Sequence, residues 1–122
     1  MVFVPLRVSA CHGKAFNVSW DAALSLRDVG AEFFLIIRKA DRLGTLVETT
    51  TLNFIKHQRV CLYVVQVFVD RDLYAADYLA SAIVPQVRYY REGGERSRHR
   101  GVPHYEALSR LLIAQDEENG TP

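Results

Sequence analysis

The stretch AEFFLIIRKADRLGTLVETTTLNFIKHQ, Ala31 to Gln58, decides how this chain is read. It holds an apolar run, FFLII, and a threonine-rich run, TLVETTTLNFI, with a basic, glycine-marked join between them. Leu26, Val29, Phe33, Ile36 and Ile37 recur at spacings of three and four, which predicts a helix from Ser25 toward Gly44. Ser25 caps it and Asp28 follows near the positive end of the dipole. Arg38, Lys39 and Arg42 fall where cations suit the other end, and Gly44 is the stop. The earlier SWDAAL predicts a separate helical turn. The second run, Thr45 to Ile55, is β-branched and free of breakers, and predicts a strand.

Outward from there, KHQR is a short polar link suited to a hairpin. Val60 to Val69 is the strongest strand signal, apolar on both parities, as in a central strand covered on both faces. Upstream, Phe3 to Ala10 predicts a first strand. Downstream, DRDLYAADYLASAIV predicts a helix capped by Asp70 or Asp72, with Leu73, Ala76, Ala80, Ile83 and Val84 as its stripe and Pro85 as its end. QVRYY is a last short strand, Gly93-Gly94 a tight turn, and Pro103 the start of a final helix. The expected class is α+β: a ferredoxin-like βαββαβ sheet with two helices on one face and an appended C-terminal helix. One domain spans 1–114, and 115–122 is a flexible polar tail.

Composition bounds function. The chain has 122 residues and a formal net charge of +1, so no global charge draws it to nucleic acid or anionic membrane. No signal peptide is visible, and no apolar run reaches the ~20 residues of a membrane helix. Cys11 and Cys61 read as reduced, largely buried thiols of an intracellular protein, with a single disulfide as the alternative. Cys11 and His12, and His99 and His104, lack a second half at ligand spacing, so neither metal nor cofactor is expected. A Cys11/His12 nucleophile pair has no third group to orient it. Asp70 and Asp72 are explained by capping.

Two features carry function. Arg88, Arg91, Arg96, Arg98 and Arg100, beside Tyr89 and Tyr90, suit phosphate or base contacts, although Glu92 and Glu95 dilute them. Leu108, Leu111, Leu112 and Ile113 form an apolar helix face that docks on its own sheet or on a neighbouring molecule.

A set of short pieces also resembles the adenovirus early region 4 open reading frame 3 proteins: Leu6-Arg7-Val8, Leu26-Arg27-Asp28, Leu35 to Arg38, Leu43-Gly44, Val47-Glu48, Phe54-Ile55, Leu62-Tyr63-Val64, Ala82-Ile83, Gly93 to Arg96 and Tyr105-Glu106 with the leucines after it. The resemblance implies a non-enzymatic viral early protein of the host cell nucleus. It forms homodimers or higher assemblies and sequesters host nuclear-body, tripartite-motif and DNA-damage-response factors by multivalency. A family asparagine that disrupts nuclear bodies falls on Ser81, with Tyr78 beside it as a partner contact. SRHRGVPH stands where the family is apolar, which moves assembly to the Leu108–Ile113 face. The alternative is a small nucleic-acid-binding module using the Arg88–Arg100 segment.

Overall fold

Phe33 to Arg38 form a strand and Arg42 to Gln58 form a helix, the reverse of the expectation for both. The structure, a computed structural model, describes residues 15–58, 62–72 and 84–120. All residues of β2 (Phe33–Arg38) are buried. Phe34 and Ile36 join one core cluster, and Phe33, Leu35 and Ile37 join another on the opposite face. A strand covered on both faces is apolar without a period, so its residues match a helical template by accident. The helix that starts upstream, α1 (Trp20–Asp28), ends before them. Val29, counted into the helical stripe, is 78% exposed.

In α2 (Arg42–Gln58) the buried residues are Gly44, Val47, Thr51, Phe54 and Ile55. Their spacing is that of one helix face. Threonine favours strands only weakly, and burial of this face against Phe34, Ile36 and Val64 overrides it. Asp41 precedes the helix and its Oδ1 accepts the Gly44 N–H at 2.8 Å, the N-cap contact.

The other strands are β1 (Ala15–Val18), β3 (Leu62–Phe68), β4 (Gln86–Arg91) and β5 (Gly94–Arg100), followed by α3 (Tyr105–Gly120). The sheet order is β1-β3-β2-β4-β5. β3 is parallel to both β1 and β2, whereas β4 and β5 are antiparallel additions. Parallel neighbours cannot be joined by a hairpin, so α2 is the crossover and KHQR is no hairpin link. The ferredoxin-like arrangement is therefore incorrect: its second strand is the crossover helix, and its first helix contains the central strand. The expected strand at Phe3–Ala10 lies outside the described residues, as does 73–83 of the helix expected before Pro85.

A tight turn joins β4 to β5, with Glu92 at φ 57° and Gly93 at φ 87°. Positive φ at both central residues matches the twist of the paired strands. The stretch after Gly94, to which the sequence reading assigns no strand, is thus a strand. Ala107, Leu108, Leu111 and Leu112 of α3 are buried, and the last three join the cluster shared with α2.

Gly44 tests the α2 packing. A Cβ there would lie 2.3 Å from the Lys39 carbonyl oxygen and 2.7 Å from Arg38 Nε. Gly44→Ala is expected to destabilise by about 2 kcal/mol despite alanine's better helix propensity. Gly94→Ala, with open space around its Cβ, should stay within about 0.5 kcal/mol. Urea unfolding of the two variants checks this; equal midpoints would refute the close approach.

Candidate functional site

In sheets with parallel strands, ligands gather beyond the carboxyl ends of those strands. Here that end is built by Ser19 after β1, Arg38 at the end of β2, Phe68 at the end of β3, and the first turn of α2. Arg38 is only 4% exposed. Its Nη1 donates to Glu48 Oε1 at 2.9 Å and to Gln66 Oε1 at 3.0 Å. Its Nε donates to the Lys39 carbonyl at 3.0 Å. Gln66 Nε2 closes the ring by donating to Glu48 Oε2 at 2.9 Å. A buried guanidinium needs its charge and its donors matched together, and one carboxylate, one amide and one carbonyl do so here.

The network ties β2, β3 and α2 at one point. Phe68 lies against it, with Arg38 Cζ 4.5 Å from the ring centroid and Arg71 Cζ 5.3 Å from it. Both distances suit cation–π attraction. Asp70 Oδ2 accepts the Ala40 N–H at 3.2 Å and pins the turn after β3 to the turn before α2. Beside these residues lies an open depression of about 550 Å³ lined by Ser19, Trp20, Gln66, Val67, Phe68, Arg71 and Asp72. None of Arg38, Glu48, Gln66 and Phe68 was singled out as a site residue from sequence. Their signal is faint: Arg38 and Gln66 are polar groups that interrupt apolar strand runs, whereas Glu48 and Phe68 carry none.

The residues expected to act are placed elsewhere. Arg88 is buried and donates through Nε to Gln86 Oε1 at 2.5 Å. Its register partner on β5 is Arg98. Glu95 accepts from Arg98 at 2.5 and 2.6 Å and lies 3.9 Å from Arg88 Nη1. Donation of that hydrogen bond to Glu95 holds the Arg98 guanidinium above its ordinary pKa. Arg96 donates to the Arg91 carbonyl at 3.0 Å and lies 3.6 Å from Glu92, which is also 3.7 Å from Arg91. Arg100 is exposed. The structure brings the five arginines onto one hairpin together with the two glutamates. Leu108, Leu111 and Leu112 face their own core, and the side chain of Ile113, together with Tyr78, Ser81, Cys11 and Cys61, lies outside the described residues. Among the described residues no three His, Cys, Asp or Glu side chains gather as metal ligands, and no helix is long and apolar enough to cross a membrane.

A thioredoxin from Halobacterium salinarum superposes with a TM-score of 0.68 at 12% identity, covering 88% of this chain and 96% of the other. Thioredoxin f from spinach chloroplast gives 0.67 at 14% identity, over 87% and 90% of the two chains. The fold is a thioredoxin fold. Chloroplastic thioredoxin z, whose structure is described as defining a type-specific target recognition, gives 0.64 at 13% identity over 88% and 96%. No family model and no curated protein matches the sequence.

These likenesses overturn the adenovirus resemblance, and with it the viral scaffold, the nuclear-body and DNA-damage targets, and the view of the chain as lacking enzymatic chemistry. The quoted pieces of that resemblance are short, and several fall on core positions that many folds would fill alike: Leu35 to Arg38, Phe54-Ile55, Leu62 and Val64. The thioredoxin fold also directs attention to the start of α2, because a Cys-x-x-Cys pair there gains thiolate character from the helix N-terminus. Between His12 and Val60 this chain has no cysteine. Asp41, Arg42, Leu43 and Gly44 occupy the turn, above the Arg38 network.

The network has a measurable worth. Arg38→Met removes the charge and leaves Glu48 and Gln66 without their donor, and is expected to cost about 2–3 kcal/mol, moderated because Glu48 is partly solvated. Adding Glu48→Gln should recover part of the loss, giving a coupling of about 1 kcal/mol in a double-mutant cycle. Strict additivity of the two changes would show that the pair is not coupled.

Proposed function

We propose that this chain is a redox-linked protein of thioredoxin fold whose thiol–disulfide exchange runs through Cys11 and Cys61. The observation that carries this reading is the fold itself, shared with thioredoxins over nearly nine-tenths of the chain. The sequence then restricts the chemistry, because these are its two cysteines. Their places in the chain favour a pair. Cys61 comes one residue before Leu62, and Cys11 four residues before Ala15. Ala15 and Leu62 are register partners in parallel strands. The two strands that follow these cysteines in sequence, β1 and β3, therefore begin side by side, at the end of the sheet opposite to the start of α2.

The substrate class is a disulfide of a partner polypeptide. One cysteine, as thiolate, attacks a partner sulfur; the new S–S bond links the two chains and the first partner thiolate leaves. The second cysteine, as thiolate, attacks the sulfur of the first. An internal disulfide forms and the second partner thiolate leaves, so the partner gains two electrons and this chain loses two. A small thiol reductant restores the dithiol. The arginine network at the start of α2, at the other end of the parallel strands, then acts as a fixed structural corner.

The test is equilibration of the reduced protein in glutathione buffers, followed by alkylation and mass measurement. An internal disulfide is expected to titrate with a potential between about −270 and −120 mV. Cys11→Ser and Cys61→Ser should each stop at a mixed disulfide with glutathione. Two thiols that stay alkylatable at every poise would defeat the proposal.

A further inference from the structure

The groove between β5 and α3 has the form of a peptide slot. β5 is the last strand in the sheet order among the described residues, so one side of its backbone faces outward. α3 lies along it, fixed by the Ser97 hydroxyl, which donates to the Leu111 carbonyl at 2.8 Å. Between them is a depression of about 300 Å³ lined by Ser97, Arg98, His99, His104, Ala107, Arg110 and Leu111. Two arginines and two histidines are among those residues, and no carboxylate is. Nearby carboxylates do touch the arginines. Glu95 holds Arg98 through two short hydrogen bonds, and Glu106 accepts from Arg110 at 2.5 Å. The second pair is 73% and 67% exposed. Exposed pairs of this kind contribute little, so Arg110 can change partner at small cost.

We propose that this groove binds an extended acidic segment of a partner protein, which adds to β5 as a further strand. An edge strand supplies backbone donors and acceptors, and an adjacent groove receives alternate side chains of the added strand. The apolar floor at Ala107 and Leu111 takes the side chains that point inward. His104 and Arg110 rim that groove, and Arg100, on the other face of β5, meets carboxylates at the alternate positions of the added strand. A second copy of this chain is a poor occupant. Pairing β5 with its twin would set Arg96, Arg98 and Arg100 against an identical row, and like charges across paired strands repel. The arginines thus select against self-pairing while favouring acid. The slot is separate from the proposed thiol chemistry, and either stands without the other.

The probe is a fluorescent peptide of alternating glutamate and valine, with a lysine–valine counterpart, titrated against the full chain by anisotropy at low and physiological salt. The acidic peptide is expected to bind, more weakly as salt rises, and the lysine peptide not to bind. Amides of β5 should gain protection from hydrogen exchange. Arg110→Gln with Arg100→Gln, both exposed and therefore benign to folding, should weaken binding about tenfold. An acidic peptide N-methylated at every residue cannot donate to the ladder and should lose binding. Equal binding of the methylated peptide would overturn strand addition, leaving only charge attraction. A single-stranded oligonucleotide of equal charge binding as tightly would make the surface a general polyanion site and would also overturn the proposal. Absence of binding by the acidic peptide ends it outright.

Discussion

Burial of β2 on both faces is the constraint on which the rest of this structure depends. Phe33 through Ile37 have almost no accessible surface, and they divide between two cores. One core is closed by α2 and α3, the other by α1. A strand that needs cover on both sides needs helices on both sides, and parallel pairing with β3 requires a crossover between them. Helix α1 covers one face, and the helix α2 covers the other and supplies the crossover. Its apolar face is short, with Val47, Phe54 and Ile55 as the main contributors, and Thr51 is buried among them. Once β2 is a strand, the threonine-rich stretch after it has only one arrangement that covers Phe34 and Ile36.

The carboxyl end of the parallel strands shows how the chain holds charge without losing stability. Arg38 is buried beside Glu48 and Gln66, each supplied by a different element. Such a group is costly to bury alone and tolerable when every donor is met. Its consequence is positional: β2, β3 and α2 meet with little freedom at the corner where a thioredoxin fold can carry a dithiol, and this chain has an aspartate, an arginine, a leucine and a glycine at that turn. The two cysteines of the chain lie elsewhere in the sequence, ahead of β1 and of β3.

Charge on the β4–β5 hairpin is organised by pairing. Glu92 and Glu95 interleave with the arginines and keep Arg88, Arg91, Arg96 and Arg98 engaged. What stays exposed lies farther along, at Arg100 on the strand and at His104 and Arg110 on the helix, the last paired with a similarly exposed Glu106. A segment that reads as a polyelectrolyte in one dimension is, once folded, a braced edge strand with a localised basic slot.

Several features were legible from residues alone. Val60 to Val69 announced a central strand, and β3 lies there because a doubly covered strand needs apolar residues on both parities. Gly93 marked the hairpin turn through its tolerance of positive φ. Pro103 preceded a helix, and its leucines are buried. The stretch from Ala31 to Gln58 was not legible, and the reason is physical. A short apolar run fits helix and strand templates equally, and threonine's preference for strands is too small to resist the burial of a helical face. The sequence by itself determined which residues avoid water and where the chain turns. Only the tertiary structure decided which runs became strand or helix, and which charges found partners, because both depend on neighbours that are distant in the chain.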